Sequence, residues 1–355
     1  MQHHDSVFKE ECVNRMGKSH STEQRRQSLS WGESFAGVNR NLGIDFTATS
    51  VREIFERELK FYFALCGLSR SKSAPKDMSQ AATNIVFKVR ALIERSIQSS
   101  VLNTIRENPD TIHRIFEGKF YGFSKKQGVS VRFPLTSCVP TRDCSSGCYA
   151  HDVLDAAPNA VVRGALNGCV ATLFEDGPSP IRSLITRKLR PHTRRAVRAS
   201  LRELDFLEPG WSRRAYIRFA HVGEMSAYPL LADTLADQVI ELSDGHVDCV
   251  VYTRHPNAGK LDPSKWIVNF TLDHGSMKRR EWAPASSRLV YSAWDGVVDN
   301  SVEINFLEHH RWSHLSSSGS GPVCPATLPE TTIRSCDAVQ CDLCFRNTIS
   351  TKGVN

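Results

Sequence analysis

Residues 215–222 read AYIRFAHV, residues 228–242 read YPLLADTLADQVIEL, and residues 247–254 read VDCVVYTR. The two outer runs are dense in Val, Ile, Phe and Tyr, as strands covered on both faces are. The middle run reads as a helix. A strand, a helix and a second strand in succession point to a parallel crossover, because two parallel strands need a long connection between them.

Working outward, the same strand composition recurs at 129–135 before this unit and at 266–273, 288–294 and 302–308 after it. Helical stretches at about 158–175 and 181–207 lie between the first and second strands, separated by Gly177, Pro178 and Pro180. The expected fold is α/β: a six-stranded, mostly parallel partial (β/α) barrel preceded by a helical N-terminal region. The later links, 257–265, 275–287 and 295–301, are short, which leaves room for an antiparallel ending.

Residues 1–45 are polar and irregular and read as a flexible arm. Residues 46–125 read as a helical domain. Thr49 or Ser50 starts its first helix, Glu53 completes a capping box with Ser50, and Gly67 can end it. A long second helix spans about 77–108, with Ala81, Ile85, Val89, Leu92, Ile93 and Ile97 on one face, and Pro109 breaks it. Residues 126–315 form the α/β region, and 316–355 a cysteine-rich tail that begins with a Ser/Gly stretch at 316–321.

The 355 residues are 40% hydrophobic and 23% charged, enough to bury a core without disulfide staples. Met1 to Lys9 lacks the apolar stretch of a secretory signal, and no run approaches the ~18 apolar residues of a membrane span. The expected location is the cytoplasm, with no membrane partner. There, thiols stay reduced and clustered cysteines report metal or redox chemistry.

Seven of the eleven cysteines fall in two clusters. Cys138, Cys144 and Cys148 are spaced C-x5-C-x3-C. Cys324, Cys336, Cys341 and Cys344 are spaced C-x11-C-x4-C-x2-C. An odd total fits a disulfide framework poorly. Cys12, Cys66, Cys169 and Cys249 stand alone, and the last three are expected as packing residues. Three thiolates on one loop leave one place on a metal site open, whereas structural zinc takes four protein ligands. The tail offers four, so zinc and an iron–sulfur cluster both remain open there. A single site shared by both clusters is a further possibility.

Net charge is +7. Between Arg182 and Arg214 stand Arg182, Arg187, Lys188, Arg190, Arg194, Arg195, Arg198, Arg202, Arg213 and Arg214, against Glu203, Asp205 and Glu208. Such a run is either a solvated helix face or a footprint for nucleic acid. Apart from Phe206 and Trp211 near its end, no aromatic residues interleave with these arginines to stack on bases.

Polar residues gather just past the strand ends: His221, Gly223 and Glu224; Tyr252, Thr253, Arg254 and His255; Asp273 and His274; Trp294 and Asp295; Glu308, His309, His310 and Arg311. In parallel α/β folds that edge carries the active site. The first cysteine loop follows a strand end and belongs to the same edge.

The three-cysteine loop after the first strand resembles radical S-adenosylmethionine enzymes, whose best-known spacing is the narrower C-x3-C-x2-C. Gly223-Glu224 after the second strand resembles their Gly-Gly-Glu motif, with Val222 in place of the first Gly. Cys148-Tyr149-Ala150, His221-Val222-Gly223-Glu224, Tyr252-Thr253-Arg254 and the tail Cys324-Pro325, Cys336, Cys341, Cys344 together resemble the phage and plasmid gene product 88 family over about 129–345. That family usually carries an acidic residue after the strand-end Gly, and Glu224 supplies it.

The resemblances imply a mobile-element origin and a metal site, and specify no reaction. They imply a cluster, of 4Fe-4S type, on Cys138, Cys144 and Cys148, and a second cluster or zinc ion on the four tail cysteines. S-adenosylmethionine would lie beside Tyr149, His221, Gly223 and Glu224, and an electron donor would be the partner. Glu224, Arg254, Asp273 and His274 would face the substrate. The rival expectation is a zinc-stabilised nucleic-acid-binding protein that grips phosphates through 182–214.

Overall fold

The structure, a computed structural model, describes residues 76–124, 128–141, 144, 158–206, 214–293 and 299–307. The chain divides into two compact units, Met1–Glu117 with Cys144–Leu166, and Gly118–Asp143 with Asn167–Asn355. Residues 1–45, expected as an arm, the helix expected from Thr49 or Ser50, and the cysteine-rich tail lie outside the described residues.

In the first unit, helix α1 (Lys76–Glu107) stops before Pro109, as the sequence predicts. A 3-10 turn, Pro109–Thr111, leads into the single-turn helix α2 (Ile112–Ile115). Ile93, Ile97, Val101 and Ile105 recur at i, i+4 spacing and are buried. Arg90 and Glu94 form a buried ion pair at 2.9 Å along the same helix.

The second unit is built on one sheet. Its strands are β1 (Tyr121–Ser124), β2 (Gly128–Arg132), β3 (Ala215–Val222), β4 (Val247–Thr253), β5 (Trp266–Leu272), β6 (Arg288–Ala293) and β7 (Ile304–Leu307). They lie side by side in chain order, and β1 and β7 are its two edges, so the sheet is open rather than closed. β1 and β2 are antiparallel, and every later pair is parallel.

Two expectations are corrected. Among the described residues the sheet has seven strands where six were expected, and the antiparallel pair stands at the start of the sheet rather than at its end. β1 lies in the stretch assigned to helices. Its four residues, YGFS, include a glycine and carry too short a pattern to register as a strand.

Helix α3 spans Pro158–Asp176. Helices α4 (Ser179–Glu203) and α5 (Pro229–Ser243) pack on each other and on β3 and β4. α4 buries Ile185, Leu189, His192, Thr193, Ala196, Val197 and Ser200, a stripe of helical period. α5 starts on Pro229, which lacks the N–H that a first helical residue leaves unused, and ends where Asp244 turns left-handed (φ 51°). Ile217, Phe219, Cys249 and Val251 are buried on one set of strand positions. On the alternate positions Tyr216, Val250, Val290 and Ile304 form a second cluster. Each such fully buried side chain stabilises the fold by about 1.5–3 kcal/mol.

Candidate functional site

The parallel strands bring their carboxyl ends to one edge, and the end of β3 is irregular. The β2–β3 register shifts between Ser130, opposite Arg218, and Arg132, opposite Val222. Ala220 takes a positive φ of 61° inside this irregularity, a conformation disfavoured for any residue with a Cβ. A bulge of this kind re-aims the side chains that follow it. Gly223 comes next at φ 80°. A Cβ there would stand 2.6 Å from the backbone carbon and oxygen of Phe133. Only glycine lets the chain leaving β2 lie so close, and the Phe133 N–H donates to the Val222 carbonyl at 2.7 Å.

That close approach starts the loop that carries the first cysteine. The 3-10 turn Leu135–Ser137 leads directly to Cys138. Three hydrogen bonds then pin the loop to two strand ends and to the 3-10 helix His274–Trp282. Ser137 Oγ accepts from the Glu224 N–H at 2.8 Å. The Val139 carbonyl accepts from Arg279 Nη1 at 2.5 Å. Thr141 Oγ1 donates to Asp273 Oδ2 at 2.5 Å. Cys138 sits between the first two of these ties and is half-buried.

Behind the loop lies a network of buried charges. Glu224 is 5% exposed. Its Oε2 accepts from the Thr253 hydroxyl at 2.7 Å, and its Oε1 accepts from the Arg254 N–H at 3.3 Å. Burial pushes its pKa up to about 7, opposed by the Thr253 hydroxyl, the Arg254 N–H and the Arg254 charge. The group therefore takes or gives a proton near neutrality. Arg254 donates from Nη1 to Asp273 Oδ2 at 2.6 Å. Asp273 is fully buried, and its Oδ1 has no hydrogen-bond partner among the described residues. Ser276 Oγ accepts from the Asp273 N–H at 2.8 Å and fixes the start of the 3-10 helix His274–Trp282.

His255 continues the line. Its Nδ1 accepts from the Asn257 N–H at 3.1 Å, so the neutral ring carries its proton on Nε2. Burial and the Lys260 charge hold its pKa below the usual histidine value.

Of the residues expected at this edge, the structure brings Glu224, Arg254 and Asp273 together with Thr253. Gly223 makes the close approach, and His221 is buried at the end of β3. His274 is exposed. Cys144 is half-buried and belongs to the first unit. Cys148, Tyr149, Cys324, Cys336, Cys341 and Cys344 lie outside the described residues, as do Trp294, Asp295, Glu308, His309, His310 and Arg311. Among the described residues no three His, Cys, Asp or Glu side chains converge as a metal site. Cys169 and Cys249 are fully buried, and burial raises the pKa of both thiols, as suits packing residues. No helix among the described residues is long and apolar enough to cross a membrane.

Ser137, Thr141 and Arg279 escape sequence reasoning. Their partners stand 87, 132 and 140 residues away in the chain. Ser137 alone has a local signal, its place directly before Cys138. No protein-family model, no curated protein and no solved structure matches the chain.

Proposed function

We propose that the chain is an iron–sulfur protein of phage or plasmid type, akin to radical S-adenosylmethionine enzymes and the gene product 88 family. The observation that carries this reading is the Ser137–Glu224 hydrogen bond at 2.8 Å. It ties the residue before Cys138 to the backbone of the Gly223-Glu224 strand end. These are the two pieces, after successive parallel strands, that such a protein needs next to each other. The run β2 to β7, parallel and in chain order, is also the strand order of a partial (β/α) barrel.

The residues present fit such a group. Cys138 and Cys144 are partly exposed, unlike the buried Cys169 and Cys249. Cys144 and Cys148 enter the proposal through their spacing in sequence. Cys138, Cys144 and Cys148 would hold an open-site cluster, of 4Fe-4S type, and Cys324, Cys336, Cys341 and Cys344 a second cluster or a zinc ion. Bound there, the cluster supplies one-electron chemistry, fed by an electron donor. Gly223 and Glu224, with His221 and Tyr149, would receive S-adenosylmethionine. Glu224 holds or releases a proton at its carboxylate, and Arg254 and Asp273 fix the wall on which the substrate lies.

Protein purified under exclusion of oxygen is expected to be brown, with absorbance near ~400 nm, because thiolate-ligated iron clusters absorb there. Cys138→Ala is expected to lose part of that absorbance and its iron while retaining the far-UV circular dichroism of the parent. Colourless protein carrying stoichiometric zinc would overturn the reading.

A further inference from the structure

The basic run 182–214 separates into two kinds of arginine. Some face inward or are paired. Arg182 donates to the carbonyls of Phe174 and Glu175 and closes the end of α3. Arg190 pairs with Glu241, and Arg214 with Asp248. Arg195 lies 3.1 Å from His192 Nδ1. Arg213 lies outside the described residues.

Arg187, Arg194, Arg198 and Arg202 remain. All four are exposed, and none makes an ion pair among the described residues. Their spacing of seven, four and four residues places them within about 80° of arc on α4, opposite its buried stripe. They span about 22 Å at 1.5 Å per residue. Residues 177–202 contain no Asp or Glu. Glu203, the one acid of α4, turns its carboxylate toward Gly128. Compensation of the helix dipole accounts for Arg202, in the last turn, and not for the other three.

We propose that this outer face of α4 binds the phosphate backbone of duplex nucleic acid without regard to sequence. Guanidinium forks match phosphate oxygens two at a time, which favours arginine over lysine at such a face. The apolar stripe of α4 is already buried in its own core, so the helix has no apolar side to lay into a membrane. The absence of aromatic residues among the four arginines argues against single strands, which need stacking platforms. No Asn or Gln stands among the four arginines to read adenine edges. The inference stands apart from the iron–sulfur reading and holds or fails whatever metal the protein carries.

Fluorescence anisotropy with a mixed-sequence DNA duplex of about 30 base pairs tests it between 50 and 200 mM KCl. Four phosphate contacts give a slope of log K against log salt of about −4. Arg194→Gln with Arg198→Gln is expected to weaken binding at least tenfold at ~100 mM salt and to reduce the slope by about 2. Lys278→Gln with Arg280→Gln removes the same net charge from the 3-10 helix His274–Trp282 and is expected to leave the slope unchanged. No duplex binding at 50 mM salt, or an equal effect of both pairs, overturns the proposal. So does binding to phosphatidylserine vesicles in place of duplex. All four substituted side chains are exposed, Arg280 also donates to Ser301, and circular dichroism checks that each variant folds.

Discussion

The carboxyl edge of the sheet and the outer face of α4 are both rich in charge, and they hold it in opposite ways. At the edge, Glu224, Arg254 and Asp273 are each at most 9% exposed, and each is tied to a named neighbour. On α4, Arg187, Arg194, Arg198 and Arg202 stand in water. A buried charge is stabilised only by its fixed partners, so removing one partner strands the other. An exposed charge is solvated and screened, so its loss is felt by a polyanion rather than by the fold. The edge holds its charges at fixed atoms, and α4 holds its charges in solvent.

The largest effect expected from this contrast is at Arg254. Arg254→Met leaves the Asp273 carboxylate fully buried with Thr141 as its remaining side-chain donor. The expected loss is about 3–5 kcal/mol, read from urea unfolding. Arg254→Met combined with Asp273→Asn should cost clearly less than the sum of the two single changes, since neither charge is then stranded. Simple additivity would show that the two residues are not coupled, and the edge would lose its distinction from α4.

Next comes the proton on Glu224. Its folded-state pKa is raised to about 7 by burial, so between about pH 4.5 and 7 the folded protein keeps a proton that the unfolded chain releases. Its contribution to stability is complete below that window and is lost as pH rises through 7. Glu224→Gln cannot titrate. The stability difference between parent and variant should therefore shift by up to ~3 kcal/mol from pH 5 to pH 8, in the variant's favour at the higher pH. Urea midpoints at the two pH values measure it. A pH-independent difference would mean that Glu224 ionises as an ordinary carboxylate and that the edge lacks a neutral-range proton.

Much of this contrast is legible in the sequence, and its limits are physical. β3 and β4 announce themselves through β-branched and aromatic runs, and the parallel crossover between them brings Glu224, Thr253 and Arg254 to one edge. Asp273 follows by the same rule at β5. His274, its neighbour, does not join them, because the chain turns into a 3-10 helix at once and its first residue is exposed. The bulge at Ala220 leaves no trace in the sequence, since alanine gives no sign of a left-handed backbone. Thr141 and Arg279 act across more than a hundred residues, and a hydroxyl or a guanidinium gives no hint of so distant a partner. The basic run is visible, yet its division into paired and solvated arginines depends on which side of α4 packs inward and on acids such as Glu241 in another helix.

The smallest effect is expected where an arginine of α4 does have a partner. Arg190 and Glu241 form an ion pair, as Arg254 and Asp273 do, but their side chains are 40% and 61% exposed. Water and salt already solvate both charges, and holding two long side chains in one geometry costs conformational freedom that offsets the attraction. Arg190→Gln should leave the urea midpoint at ~0.15 M salt, where the Debye length is about 8 Å, indistinguishable from that of the parent. The comparison with Arg254→Met is direct, since each change removes one arginine from one carboxylate. If Arg190→Gln destabilised the protein as much as Arg254→Met, burial would not be what separates the two regions. The fixed geometry of the carboxyl edge would then have to come from the ties of the Cys138 loop at Ser137, Val139 and Thr141 instead.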